Sequence, residues 1–457
     1  MSTTENTKPV AENKMGTMPV KRLILSMSLP MMISMLVQAL YNIVDSIFVA
    51  RLSEDALTAV TLAFPMQNLM IALGSGTGVG INALLSRSLG KKDYEEASNA
   101  ANTGIFLNII NYVVFALLGL VIVKPFIASQ TDNATIARYG VTYLTWICVL
   151  SVGIFFQMTF ERLLQSTGMT TLSMVSQLSG AIINMILDPM LIFGIGPFPK
   201  LGVAGAAIAT VFGQVTAACL GLYLNISKNK EITLSLKSIL HPNKQSMKQI
   251  YFVGIPSIAM MSIGSIMTYL LNKILGMFSS TAIAVFGVYF KLQSFVFMPI
   301  FGLNNGMIPV LSFNYGARKK ERIKEALSFS LKFAFSIMLA GSIIFELIPQ
   351  TLLKLFDASE HMITIGVPAL RIIAIHFPIA AICISFGSMF QAFAKSTYSL
   401  VISLARQLIA LIPAAWLLAQ TGNLNYVWFA FLIAEIMSLT MTMIFYRKIH
   451  REIIETL

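Results

Sequence analysis

The sequence contains little charge and almost no cysteine. Asp, Glu, Lys and Arg make up 11% of its 457 residues, less than half of the roughly 25% that soluble domains carry. The three cysteines, Cys148, Cys219 and Cys383, lie in apolar stretches without CxxC or Cys/His spacing, and the four histidines are scattered. These scarcities argue against a soluble protein, a disulfide framework and a metal centre. No nucleophile lies beside a base in a recognisable motif, so we expect no enzyme and no cofactor.

The chain is instead rich in long apolar stretches. Hydrophobic residues make up 56% of it, and runs of about 20 apolar residues, the length that crosses a bilayer, recur throughout. Twelve runs predict twelve spans, which begin near Leu23, Thr58, Ala97, Ala137, Leu172, Leu201, Gln249, Thr281, Ala326, Met362, Tyr398 and Tyr426. The predicted fold class is an all-α integral membrane protein.

The two halves of the chain repeat each other. Six pairs of identical residues share one offset: Pro30/Pro256, Gly76/Gly302, Gly80/Gly306, Gly90/Gly316, Gly140/Gly366 and Gln165/Gln391. Duplication of a six-helix unit explains this register better than chance. Because six crossings return the chain to its starting side, both copies have the same orientation. We therefore predict two bundles related by an axis along the membrane normal, with a cavity between them.

This repeat predicts five segments. They are a cytoplasmic N-terminus (1–22), an N-lobe of spans one to six (23–226), a lysine-rich linker (227–248), a C-lobe of spans seven to twelve (249–446) and a tail (447–457).

The basic residues predict the orientation. With the N-terminus inside, 22 Lys and Arg residues fall on the inner side and 5 on the outer, which is the bias that orients membrane proteins. We predict a multi-pass protein of the cell membrane with both termini cytoplasmic. The net charge of +12 lies mostly in short loops, so we expect contact with membrane lipids and none with nucleic acid. We also expect a monomer.

Two carboxylates lie inside apolar spans. Asp45 in span one and Asp188 in span five each lie about 10 Å from the outer end of the helix, and Asn184 is one turn from Asp188 on the same face. A buried acid costs roughly 2.5 to 3.5 kcal/mol in a bilayer, which favours a polar cavity around it. Two acids and an amide at one depth could hold a proton or Na⁺. The alternative is that each Asp only bonds a neighbouring helix.

Two prolines accompany these acids. Pro30 lies near the start of span one, where we expect it to break and kink the helix, and Pro189 follows Asp188, where it should open span five. Both expectations rest on the missing N–H of proline.

The other charges in spans are ambiguous. Glu161 and Arg162 end span four, where an interfacial pair is the simpler interpretation and a cavity role for Glu161 the alternative. Lys291 and Glu435 are deep charges of the C-lobe that fit structure or function equally well. Three basic residues are expected in packing or at the interface, namely Lys273, Arg371 and Arg406.

The glycine-rich run LGSGTGVGINALLSRSLGKK lies in span two. It lacks the spacing of a phosphate-binding loop. Gly74/Gly78 and Gly76/Gly80 instead form small-xxx-small pairs that let helices approach closely.

Three stretches carry a family resemblance. They are LPMMISMLVQALYNIVDSIFVARL in span one, GSGTGVGINALLSRSLGKKDYEEA in span two and NMILDPMLIFGIGPFPKLGVAGAAIAT from span five onward. With twelve spans in two halves, the sequence resembles the multidrug and toxic compound extrusion (MATE) family over essentially its whole length. The resemblance implies a V-shaped pair of bundles that exports organic, often cationic, drugs and toxic compounds in exchange for inward H⁺ or Na⁺.

The resemblance also implies roles for individual residues. The cation-coupling set is Asp45, Asn184, Asp188 and Thr210, with Pro30 as a hinge that bends as the site loads. The residues expected along the substrate cavity are Met35, Gln38, Tyr41, Phe64, Glu161 and Lys291. A second cation site in the C-lobe is not expected, because span seven offers Lys273, and span ten Arg371 and His376, where one branch of the family has acids.

Three rival functions stay open. The nearest is a flippase of lipid-linked oligosaccharides or lipids in the same superfamily, for which Lys291, Arg371 and Arg406 would supply basic groups. A membrane-embedded transferase or hydrolase would need a base, nucleophile or metal cluster at one depth. A passive channel would not accumulate substrate against a gradient.

Overall fold

The computed structural model describes residues 12–356 and 358–457, and its ordered elements there are all helices. Ten of them are long and apolar enough to cross a membrane, and two bent pairs bring the number of spans to twelve. In chain order the N-lobe spans are Val20–Leu52, Glu54–Gly90, Tyr94–Val121, Ala134–Val149 with Val152–Ser166, Thr170–Phe193 and Val203–Lys228. The C-lobe spans are Lys244–Gly276, Ser280–Gly316, Lys320–Leu347, Glu360–Ala374 with Phe377–Ala392, Ser396–Ala419 and Leu424–Ile454. The predicted all-helical fold with twelve spans is confirmed.

The internal repeat extends to the helix ends. Spans two, three and six occupy residues 54–90, 94–121 and 203–228. Adding the offset of the sequence pairs to these numbers gives 280–316, 320–347 and 429–454, which are the bounds of helical segments in the C-lobe. Even the caps repeat, since Ser53 and Ser279 each accept a hydrogen bond from the backbone N–H three residues on. A serine at this position satisfies an otherwise free N–H of the first turn. The predicted duplication is confirmed.

Spans four and ten are bent, which the sequence did not predict. The two helices of span four meet at 45° around Leu150 and Ser151, and those of span ten at 49° around Ile375 and His376. The breaks occupy corresponding places in the two lobes.

The two prolines do not interrupt their helices. Span one is helical through Pro30 and span five through Pro189. The expected break of span one at Pro30 and the expected opening of span five at Pro189 are therefore absent. Pro30 still removes one backbone donor, the one that would bond the carbonyl of Ser26. That carbonyl instead accepts the hydroxyl of Thr170, at the start of span five, at 3.3 Å.

The lobes pack against each other near one end of the molecule, here called the terminal side because the described N-terminal segment and the C-terminus lie there. Gly80 of span two faces the backbone carbonyl of Ile250 in span seven. In the symmetry-related contact, Gly306 of span eight faces the backbone of Ser28 in span one, whose hydroxyl donates to the Leu303 carbonyl at 3.1 Å. Glycine permits this approach because it has no Cβ. The predicted role of the glycine pairs is confirmed.

Towards the opposite end, the distal side, spans one, two, seven and eight carry exposed apolar side chains, among them Leu40, Leu69 and Met261. The contacts between the lobes described above lie on the terminal side. The space between the distal halves of these four spans, where the repeat predicts a cavity between the two bundles, is called the cleft below.

The linker follows the terminal side of the N-lobe. It contains a short helix, Leu236–Leu240, and is held by Asn102 of span three, which donates to the Thr233 carbonyl at 2.9 Å and accepts from the Ser235 N–H at 3.0 Å. Asn13 donates to both carboxylate oxygens of Glu231, at 2.9 and 2.7 Å. Burial raises the pKa of the Glu231 carboxyl, and the hydrogen bond from Asn13 opposes this shift.

Candidate functional site

Spans five and six bring three of the expected cation-coupling residues together inside the N-lobe. Asp188 is fully buried, and Asn184 and Thr210 are 2% and 6% exposed. In the amide orientation that satisfies both of its ends, Asn184 donates to Asp188 Oδ2 at 3.2 Å and accepts from the Thr210 backbone N–H at 3.1 Å. Because the amide is one turn from the acid, the helix itself places both on one face.

Asp45 of span one faces this group. Its carboxyl lies against that of Asp188, while its buried Oδ1 atom has no hydrogen-bond partner among the described residues. Two carboxylates in contact repel each other and lack a donor between them. The arrangement requires a shared proton, or a cation, to be electrostatically balanced.

A polar shell surrounds the acids. Tyr41 and Tyr143 lie close to both carboxyl groups, and Gln67 donates to the Tyr143 hydroxyl at 3.1 Å. On the terminal side of the acids, Gln177 of span five donates to Gln38 of span one at 3.0 Å. Sequence reasoning missed Tyr143, Gln67 and Gln177, whose only signal is a polar side chain in an apolar span.

The six expected cavity residues divide by position. Gln38 and Tyr41 belong to the shell inside the N-lobe. Met35 lies on the same face of span one as Ser28 and Met32. These two residues contact the C-lobe and lie closer to the terminal side than Met35 does. Phe64 is 56% exposed, and its place along the cavity stays a prediction.

Lys291 lies on the cleft face of span eight. It is three helical turns from Gly302, on the same side as Gly302 and Gly306, both of which contact span one. Its side chain is exposed and makes no salt bridge within the described part of the chain. The cleft thus carries a positive charge from the C-lobe.

The interfacial interpretation of Glu161 and Arg162 is wrong. Both are buried, at 6% and 9% exposed. Glu161 accepts from Gln157 at 2.9 Å, whereas Arg162 donates to Gln165 at 2.9 Å and, across the lobe interface, to Asn305 of span eight at 3.1 Å. Arg162 therefore links the lobes where they meet.

Arg406 has a more specific role than the expected packing or interfacial position. It is a partner of the buried Glu435, with Nη1 and Oε2 at 3.2 Å. Arg371 does lie at an exposed position beside Glu346, at 4.0 Å, and the ammonium of Lys273 lies 4.8 Å from the centroid of the Tyr269 ring.

No group of three His, Cys, Asp or Glu side chains in the described ranges could hold a metal ion. A cation at the N-lobe acids would therefore need the amide and hydroxyl oxygens around them.

The family model described as MatE matches residues 30–190 and 256–417. The two matches begin at the paired prolines and cover most of spans one to five and of spans seven to eleven. The chain belongs to the MatE family. Members of this family are transporters, so the chain is a multi-pass membrane protein of a transporter family.

Several known proteins are similar along nearly their whole length. The FAD transporter of Shewanella oneidensis is 28% identical over 397 residues, which cover 87% of this chain and 88% of that one. The multidrug export protein MepA of Staphylococcus aureus is 26% identical over 424 residues, 91% of each. The outward-facing structure of a multidrug resistance MATE family transporter of the MOP superfamily matches with a TM-score of 0.90 at 26% identity, covering 96% of this chain and 98% of that one.

Proposed function

We propose that this MATE-family protein exports organic compounds across the cell membrane in exchange for inward H⁺ or Na⁺. The observation that carries the proposal is the pair of facing carboxyls, Asp45 and Asp188, with an oxygen on Asp45 that has no hydrogen-bond partner in residues 12–356 and 358–457. Both termini would be cytoplasmic, as the basic residues indicate, and the cleft would then open outward. The protein would act as a monomer and without a cofactor.

The coupling step follows from the position of span one. A proton on one carboxyl, or Na⁺ between them with oxygens from Asn184 and Thr210, removes the repulsion and draws span one towards span five. Pro30 lies between the residues of span one that touch span eight, Ser28 and Met32. Bending at Pro30, where the helix lacks one hydrogen bond, would change those contacts and with them the packing of the lobes.

Cationic drugs are the first candidate substrates, because the multidrug exporter MepA is similar along 91% of both chains. An anionic dinucleotide is the second, for two reasons. The FAD transporter of Shewanella oneidensis is also similar, and the cleft face of the C-lobe presents Lys291, which would attract a phosphate. The flippase is less favoured, since Arg406 is neutralised by Glu435.

The test is transport into proteoliposomes under imposed pH or Na⁺ gradients, with a fluorescent organic cation and with FAD. We compare the wild type with Asp188→Asn and with Asp132→Asn, a matched control at an exposed distal position. Gradient-driven transport that Asp188→Asn abolishes and Asp132→Asn preserves supports the proposal, and the effective gradient identifies the ion. Equal activity in both variants contradicts the coupling role, and transport that only equalises concentrations indicates a channel.

A further inference from the structure

One face of span twelve carries a line of polar side chains. Glu435, Ser438, Thr442, Tyr446 and His450 are spaced three or four residues apart, which places them on one side of the helix. The line begins at the middle of the span and reaches the terminal side, where His450 lies 3.3 Å from Glu455. An apolar span has no structural need for such a line.

The deep half of this line is buried and unsatisfied. Glu435, Ser438 and Thr442 are 2%, 1% and 0% exposed. Glu435 Oε1, Ser438 Oγ and Thr442 Oγ1 have no hydrogen-bond partner among the described residues. Buried polar atoms are nearly always hydrogen-bonded to protein or to ordered water. Three consecutive exceptions on one helix face therefore indicate positions for internal water.

The groups around Glu435 come from three other spans. Arg406 of span eleven binds its Oε2 atom at 3.2 Å. Cys383 of span ten lies beside both Glu435 and Ser438. His376, at the bend of span ten, and Tyr289 of span eight complete the titratable or charged surroundings. Tyr289 donates its hydroxyl to Gln293 at 2.6 Å, so it provides no donor for the free oxygen of Glu435.

The line is not a by-product of the duplication. The positions of the N-lobe that correspond to these five residues hold Ala209, Phe212, Thr216, Leu220 and Leu224. Four of the five are apolar. The polar face is present in the second copy alone, which argues for a local role.

We propose that a chain of internal water along this face connects the buried Glu435–Arg406 pair with the terminal side. The unpartnered oxygens of Glu435, Ser438 and Thr442 would each bind one of these waters. This site is separate from Asp45 and Asp188, and its existence does not depend on the export function.

The test is the accessibility of thiols to water. In a background with Cys148, Cys219 and Cys383 replaced by alanine, we compare Thr442→Cys with Ile444→Cys, which lies at nearly the same depth but on the exposed apolar face. A small charged methanethiosulfonate reagent requires an ionised thiol and therefore water. The proposal expects Thr442→Cys to react from the terminal side, at least tenfold faster than Ile444→Cys. Equal or absent reaction of Thr442→Cys overturns the water path.

Since this test does not measure transport, its failure is distinct from a failure of the proposed export.

Discussion

The lobe interface can be tested by adding one methyl group to Gly306. A Cβ built at this position lies 2.7 Å from the Cα of Ser28 and 2.8 Å from the carbonyl carbon of Met27. Both are backbone atoms, so no side-chain rotation relieves the contact. Overpacking of this kind costs roughly 1–3 kcal/mol. Because about 1.4 kcal/mol is tenfold in an equilibrium constant, Gly306→Ala should disfavour lobe contact on the terminal side by roughly 5- to 150-fold.

Gly287→Ala is the matched control. Gly287 lies on the same span, and a Cβ there meets nothing within 4 Å. The same chemical change is therefore sterically free, and the better helix propensity of alanine should stabilise the helix by up to about 1 kcal/mol. Any effect of Gly306→Ala beyond this control belongs to the interface.

The assay is the distance between spin labels at Glu95 and Glu321, which are exposed, symmetry-related positions on the terminal side of the two lobes. We expect Gly306→Ala to add a population at longer distance, and Gly287→Ala to match the wild type. Melting temperature and gel filtration verify that both variants are folded. Identical distance distributions in the two variants would show that this contact does not hold the lobes together.

Three smaller changes extend the reasoning. Asn305→Ala removes the acceptor for Arg162 across the lobes, so the same labels should report more separation, whereas Gln165→Ala, within the N-lobe, should not. Lys291→Gln should weaken FAD transport more than transport of an organic cation, and equal effects would remove Lys291 from substrate selection. Glu231→Gln should raise the melting temperature more at neutral than at acidic pH: the raised pKa means that ionisation of the buried carboxyl costs stability as pH rises. If the difference in melting temperature between Glu231→Gln and the wild type does not change with pH, ionisation of Glu231 does not affect stability.

The sequence predicted the spans because apolar length and the glycine–proline register are local properties of the chain. The predicted positions of the helix ends were less accurate, as span two shows. Its apolar pattern begins near Thr58, but the helix begins at Glu54, because Ser53 caps it and Glu54 and Asp55 suit the positive end of the helix dipole. Charged residues in the first turn lower the local hydropathy, so the start of a helix is missed when spans are predicted from hydropathy alone.

The pairings between spans could not be predicted. Glu435 and Arg406 are 29 residues apart on different helices, and nothing in either span specifies the other as its partner. The same holds for Arg162, which appeared to end a span at the interface and instead bonds Asn305 in the other lobe. Asp188 and Asn184 were identified because their proximity is set by one helical turn, whereas contacts between helices depend on the tertiary packing.

Both lobes place buried polar groups between their last two spans, but the packing of those spans differs. In the N-lobe, spans five and six approach closely through Gly180, whose added Cβ would lie 2.7 Å from the Gly213 carbonyl, and the polar residues Asn184 and Thr210 lie one turn on. In the C-lobe the positions that correspond to Gly180 and Gly213 hold Arg406 and Leu439.

Spans eleven and twelve therefore cannot approach in the same way, because two long side chains occupy the place of two hydrogens. Span eleven adopts a π-helix over Ala405–Leu411, with Arg406 as its second residue, and such wide turns occur mostly at functional positions. Asp188 and Asn184 correspond to Ala414 and Ala410, so the C-lobe lost or never had the paired acids. Each lobe thus has its own set of buried charges at its last two spans, Asp188 in the N-lobe and the Glu435–Arg406 pair in the C-lobe.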